Sequence, residues 1–127
     1  MPARRSSEPR DAAPLSPAVF HILLALAAGE MHGYAIMREV SILSDGRMNI
    51  GPGTLYGSIK KMLGEGLIQE SDRRPDPQLD DERRRYYRIT ESGRRVMISE
   101  AERLSRLVRQ ARARRLLGPA TGIQRAT

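Results

Sequence analysis

Thr54, Tyr56, Gly57, Ser58, Lys60 and Lys61 fall within one short segment and carry hydroxyl and ammonium donors. Phosphate oxygens and the acceptor edges of bases are the groups such donors recognise. On a helix of about 3.6 residues per turn, Leu55, Ile59, Met62 and Leu63 share one side and Thr54, Gly57, Lys60 and Lys61 the other, with Tyr56 and Ser58 on the flanks. A glycine in mid-helix costs about 1 kcal/mol relative to alanine. Close approach to another surface is one reason to keep Gly57 there. A lysine pair also describes an ordinary solvated face. What sets this pair apart is its position directly behind another helix and a short turn.

A second basic constellation is Arg84-Arg85-Tyr86-Tyr87-Arg88-Ile89. Strand alternation puts Arg84, Tyr86 and Arg88 on one face and Arg85, Tyr87 and Ile89 on the other. With Tyr87 and Ile89 toward a core, Arg84 and Arg88 are exposed, and Arg83 and Arg85 are within reach of the same surface. Edge-strand arginines that block aggregation are the competing reading. Asp76, Asp80, Asp81 and Glu82 would repel phosphate, so the base of this hairpin is expected to touch a polyanion and its tip to point away.

Catalytic chemistry finds no support. His21 and His32 are the only histidines, and no pair of acids joins them at metal-ligand spacing. His32 stands where it can cap a helix. Ser, His and Asp occur without a nucleophile elbow, and Gly51 and Gly53 lack the phosphate-loop pattern. The sequence implies no metal and no cofactor. Having no cysteine, it has no disulfide, thiolate site or thiol nucleophile.

The elements that must position these residues follow from periodicity and punctuation. Residues 1–14 are polar and proline-bearing and read as a disordered basic arm without the apolar core of a secretory signal. Ser16-Pro17 is an N-cap followed by proline at the first helical position. A nearly all-apolar helix through Val19, Phe20, Leu23, Leu24 and Leu26 follows, closed by Gly29. His32-Gly33-Tyr34 opens a second helix, with Ile36, Met37, Val40 and Leu43 on one side, broken at Ser44-Asp45-Gly46. Met48-Asn49-Ile50 is expected to be short and extended. A third helix spans roughly residues 53–64 and stops at Gly66. Residues 67–72 and 84–89 form a hairpin with a proline-bearing tip at 73–82. Thr90 caps a last helix over about 91–116.

The fold class expected is therefore mainly α with a small β-hairpin: a winged helix-turn-helix over 15–90, a long C-terminal dimerisation helix over 91–117, and a flexible tail over 118–127. One domain suits 127 residues. The net charge is +7, with 22 Lys+Arg against 15 Asp+Glu, and all the cations but Lys60 and Lys61 are arginines. A polyanion partner is consistent with that balance, as is a genome that favours arginine codons.

In the last helix Met97, Ala101, Leu104, Val108 and Ala111 are spaced 4, 3, 4, 3, a heptad seam. The same helix of a second copy is its expected cover, in a two-fold homodimer. Two reading heads about 34 Å apart would then suit a palindrome on double-stranded DNA. Packing on the chain's own first helix is expected to take part of the seam. No apolar run approaches the roughly 20 residues of a membrane span. The seam is narrow and lacks Trp and Phe, which argues against a membrane surface. A cytoplasmic protein is expected.

The residues quoted resemble the PadR family of bacterial transcriptional regulators. The resemblance rests on His32-Gly33-Tyr34, on Gly53-Thr54-Leu55-Tyr56 with Leu63 and Gly66-Leu67-Ile68, and on Arg85-Tyr86-Tyr87-Arg88-Ile89-Thr90-Glu91-Ser92-Gly93, and it covers about residues 15–110. It implies a dimeric repressor that binds operator DNA, often its own promoter, with the residues around Thr54, Tyr56 and Lys60 facing DNA and Tyr56 contacting phosphate. The single helix after the wing resembles the short subfamily, where that helix builds the dimer. Some members bind flat hydrophobic compounds in a tryptophan-lined cavity. This chain has no tryptophan, so no small-molecule effector can be named. Two alternatives stay open: a winged-helix protein-interaction module without specific DNA binding, and an RNA-binding surface, for which tyrosines are the only stacking aromatics on offer.

Overall fold

The computed structural model describes residues 14–72 and 85–120. The arm over 1–13, the hairpin tip with Arg84, and the tail beyond 120 lie outside the described residues. The element order is α1 (Pro17–Ala27), β1 (Met31–His32), α2 (Gly33–Leu43), α3 (Pro52–Gly64), β2 (Ile68–Glu70), β3 (Tyr86–Ile89) and α4 (Glu91–Ala113).

α1 begins where its cap is written. Ser16 Oγ accepts from the Val19 N–H at 3.2 Å, and Pro17 takes the first turn, where no N–H is needed. Its apolar run makes it the central helix: Ile22, Leu23 and Leu26 are fully buried against Ile36 and Val40 of α2, Leu55, Ile59 and Met62 of α3, and Ile68 and Tyr87 of the sheet.

The sheet contains the expected hairpin, β2 with β3, and adds a third strand to it. It has three antiparallel strands in the order β1-β3-β2. Met31 pairs with Tyr87 and His32 with Tyr86 on one side of β3; Ile68, Gln69 and Glu70 pair with Ile89, Arg88 and Tyr87 on the other. A strand of two residues has no alternation to read. His32 also ends the strand and caps α2, its Nδ1 accepting from the Ala35 N–H at 3.1 Å, while its ring meets the edge of Tyr86. The return strand runs over Tyr86–Ile89, with Arg85 outside it and Arg84 beyond the described residues, and no strand forms at residues 48–50, where Met48 and Ile50 instead pack on the core.

α3 ends in a Schellman turn. Leu67 N–H donates to the Met62 carbonyl at 3.0 Å, and Gly66 stands at φ +75°, a conformation glycine adopts without strain. The same turn receives the cap of α4. Thr90 Oγ1 donates to the Gly66 carbonyl at 2.6 Å and accepts from the Gly93 N–H at 3.0 Å, and the Thr90 N–H reaches the Leu67 carbonyl at 3.0 Å. Gly93 packs so closely on the Leu67 carbonyl that a Cβ would collide with it. Two segments far apart in the sequence, Gly66-Leu67-Ile68 and Thr90-Glu91-Ser92-Gly93, thus form one joint between α3, the sheet and α4.

Candidate nucleic-acid interface

α3 turns the expected side inward at three of four positions. Leu55, Ile59 and Met62 are buried, but Leu63 is 38% exposed, because the helix runs past the edge of the core at its last turn. Outward, Thr54, Gly57, Lys60 and Lys61 are all exposed, and Ser58 is half-buried. Among the described residues nothing lies within 4 Å of where a Cβ on Gly57 would stand, so no contact among them accounts for the glycine. The ion pairs among the described residues are Arg85–Glu70, Arg88–Glu30, Arg95–Glu91 and Arg103–Glu100, and neither lysine takes part. The face is a flat, donor-bearing strip of unpaired positive charge with a gap in its middle, suited to an anionic groove that comes close to the helix backbone.

Tyr56 is drawn further inward than its flank position implies. Its ring and hydroxyl lie over Gly33 at the start of α2, where a Cβ would collide with them. The tyrosine and the glycine therefore require each other, which gives His32-Gly33-Tyr34 a physical meaning: cap, close approach, then an exposed side chain. That exposed side chain, Tyr34 at 66% exposure, is a candidate missed from the sequence, as is Arg38 one turn later on the same face of α2. Their spacing of four was the available signal.

At the wing base, Arg88 is exposed but engaged, its Nη1 3.4 Å from Glu30 Oε2. Arg85 pairs with Glu70 on β2 at 3.5 Å. Arg84 lies outside the described residues.

Among the five seam residues of α4, Met97 lies deepest. It is 7% exposed and belongs to the core of its own chain. Beside it Glu100 is also buried, accepting from the Leu15 N–H at 3.3 Å and from Arg103 Nε and Nη2 at 3.1 and 2.8 Å. Hydrogen bonding from Arg103 holds its carboxyl below the ordinary value of 4.5, with the Leu15 N–H adding to the effect and burial opposing it. Further along, Ala101 and Val108 are exposed, Leu104 and Ala111 half-buried, and Ile98 and Leu107 add exposed apolar surface. The stripe is continuous: its N-terminal part packs on α1, and the rest runs on beyond the domain.

Among the described residues His21 is engaged locally, its Nδ1–H donating to the Pro17 carbonyl at 2.7 Å. Among the described residues no group of His, Asp and Glu is arranged to hold a metal ion, and no helix is long and apolar enough to cross a membrane.

Two helices joined by the eight-residue connection 44–51, the second with a basic outer face, and a small antiparallel sheet behind them define a winged helix-turn-helix protein. The chain belongs to the PadR-like family of transcriptional regulators: the family's model matches residues 22–99. This is a family of regulators of transcription, not of enzymes. A transcriptional regulator of Mycobacterium tuberculosis is 32% identical over 90 residues, covering 71% of this chain and 78% of that protein. An uncharacterised 37.1 kDa protein of a Streptomyces fradiae transposon is 34% identical over 86 residues, which take in 68% of this chain but only 22% of the transposon protein. In structure the chain is similar to Bacillus subtilis PadR in complex with operator DNA, with a TM-score of 0.55 and 24% identity, covering 67% of this chain and 45% of that one.

Proposed function

We propose that this regulator is a homodimeric repressor whose two α3 helices enter successive major grooves of a palindromic operator. The observation that carries the reading is the outer face of α3: two lysines without ion pairs among the described residues, flanking a glycine whose missing side chain none of those residues requires. Thr54, Ser58, Lys60 and Lys61 supply donors to the groove, and Gly57 admits the duplex to the backbone. Tyr56 anchors α3 to α2 and so fixes its depth. Tyr34 and Arg38 add contacts to the flanking backbone from α2. The similarity in fold to a regulator solved in complex with operator DNA supports DNA as the partner. The stretch of α4 that the domain leaves exposed or half-buried, Ala101, Leu104, Val108 and Ala111 with Leu107, joins the two copies. Such a protein acts where the chromosome is, in the cytoplasm.

The test is binding to the DNA upstream of its own gene and to a random pool, by fluorescence anisotropy across a salt series. The wild type is expected to select a palindrome and to lose affinity steeply with salt. The Lys60→Ala, Lys61→Ala double variant is expected to stay folded and dimeric and to lose binding, its salt slope falling by about 0.9 for each phosphate contact removed. Unchanged binding by that variant would discard α3 as the reading helix. Absence of any duplex binding by the wild type would favour a protein-interaction module.

A further inference from the structure

The wing and α3 treat their cations differently. Lys60 and Lys61 have no carboxylate partner among the described residues, whereas both described arginines at the wing base do. The two wing pairs also differ from each other. Glu70 and Arg85 are each about half exposed, and they meet at 3.5 Å on the open side of the sheet. Glu30 comes from the turn between α1 and β1 and is held in place. Its Oε1 accepts a 2.8 Å hydrogen bond from the hydroxyl of Ser71, a residue only 5% exposed. Ser71 is fixed in turn, its N–H donating to the Tyr86 carbonyl at 2.7 Å. Glu30 Oε2 in turn accepts from Arg88 Nη1 at 3.4 Å, and Arg88 sits opposite Gln69 in the middle of β3. The anchor of the carboxylate is thus short and well covered, and its bond to the guanidinium is long and open to solvent.

A carboxylate so placed resembles a backbone phosphate in charge and in the donor it accepts. It cancels the charge of Arg88 and repels any phosphate that approaches the same guanidinium. Binding to DNA of arbitrary sequence is almost wholly phosphate contact, so one masked arginine per wing lowers it measurably.

We infer that Glu30, tied down by Ser71, is a built-in competitor for phosphate at Arg88 and sets how strongly the wing grips a duplex. The inference rests on the DNA-binding reading above and adds a residue that neither the motifs nor the charge pattern singled out. Glu30→Gln removes the charge and keeps an oxygen for Ser71. Its affinity for a random-sequence duplex is expected to rise about fivefold at 0.15 M salt, the counterion-release gain of one phosphate contact, with the salt slope steeper by about 0.9. In an Arg88→Ala background the same substitution is expected to change affinity less than about twofold. Thermal melts check that each variant is folded. Equal affinity and slope for Glu30→Gln and wild type would overturn the inference. So would weaker binding, which would make Glu30 a support for Arg88, or a gain that persists without Arg88. If the wild type binds no duplex at low salt, the DNA-binding reading falls and this inference falls with it; binding by the wild type without the Glu30 effect removes only the inference.

Discussion

Gly57 costs α3 about 1 kcal/mol relative to alanine, and the space its side chain would fill is empty. Gly57→Ala is therefore expected to raise stability by roughly 0.5–1 kcal/mol in a denaturant titration while weakening binding to the selected DNA. Opposite signs in the two measurements are what an interface glycine requires. An alanine variant that is more stable and binds as well would show that nothing approaches the helix there. Glu100 makes the second argument at this scale. Its folded carboxyl is held below its ordinary value, first by the Arg103 hydrogen bond, so the pair's contribution is fully present above the ordinary value of 4.5 and is lost as pH falls through the depressed folded value. Thermal melts from neutral to acid pH are expected to show wild type losing its margin over Glu100→Gln across that window. A margin that stays constant on acidification would remove the charge of Glu100 from the account.

The joint at Thr90 governs how the elements sit. α4 leaves the wing at an angle set by three contacts: Thr90 to Gly66, Thr90 to Leu67, and Gly93 against the Leu67 carbonyl. The last is the stiffest, because a backbone oxygen cannot turn aside as a side chain can. Gly93→Ala is expected to cost about 1–3 kcal/mol, as overpacking does, and Thr90→Ala about 0.5–2 kcal/mol, as loss of a cap does. Since both loosen one joint, the double variant is expected to lose less than the sum of the two. Full additivity in chemical denaturation would mean the cap and the close contact act separately.

Across the whole molecule the apolar stripe of α4 serves two purposes in succession. Through Met97 and Glu100 it fastens to α1 and to the chain before it, and from Leu104 onward it passes beyond the domain. At about 1.5 Å per residue the helix is some 34 Å long, about the distance between successive turns of a duplex. Glutamate at both Leu107 and Val108 is expected to give a folded monomer in sedimentation equilibrium and to weaken operator binding by more than tenfold, since one reading head is then left alone. A dimer that survives both charges would place the interface elsewhere.

Local order was written in the residues themselves. Ser16-Pro17 starts α1, Thr90 caps α4, Gly66 stops α3, and Leu55, Ile59 and Met62 point inward, because caps, turns and helical period act over four residues or fewer. The same locality made the exposed basic face of α3 and the family resemblance legible. What depended on distant partners was not legible: the two-residue β1 exists only because β3 lies beside it, and Leu63 is exposed only because the core ends before it does. Glu30 meets Ser71 across 41 positions and Arg88 across 58, and Glu100 meets Leu15 across 85. Residue type announces a charge, but packing alone determines whether that charge faces solvent, a carboxylate or a phosphate, because a partner so far along the chain leaves no periodic mark in the sequence.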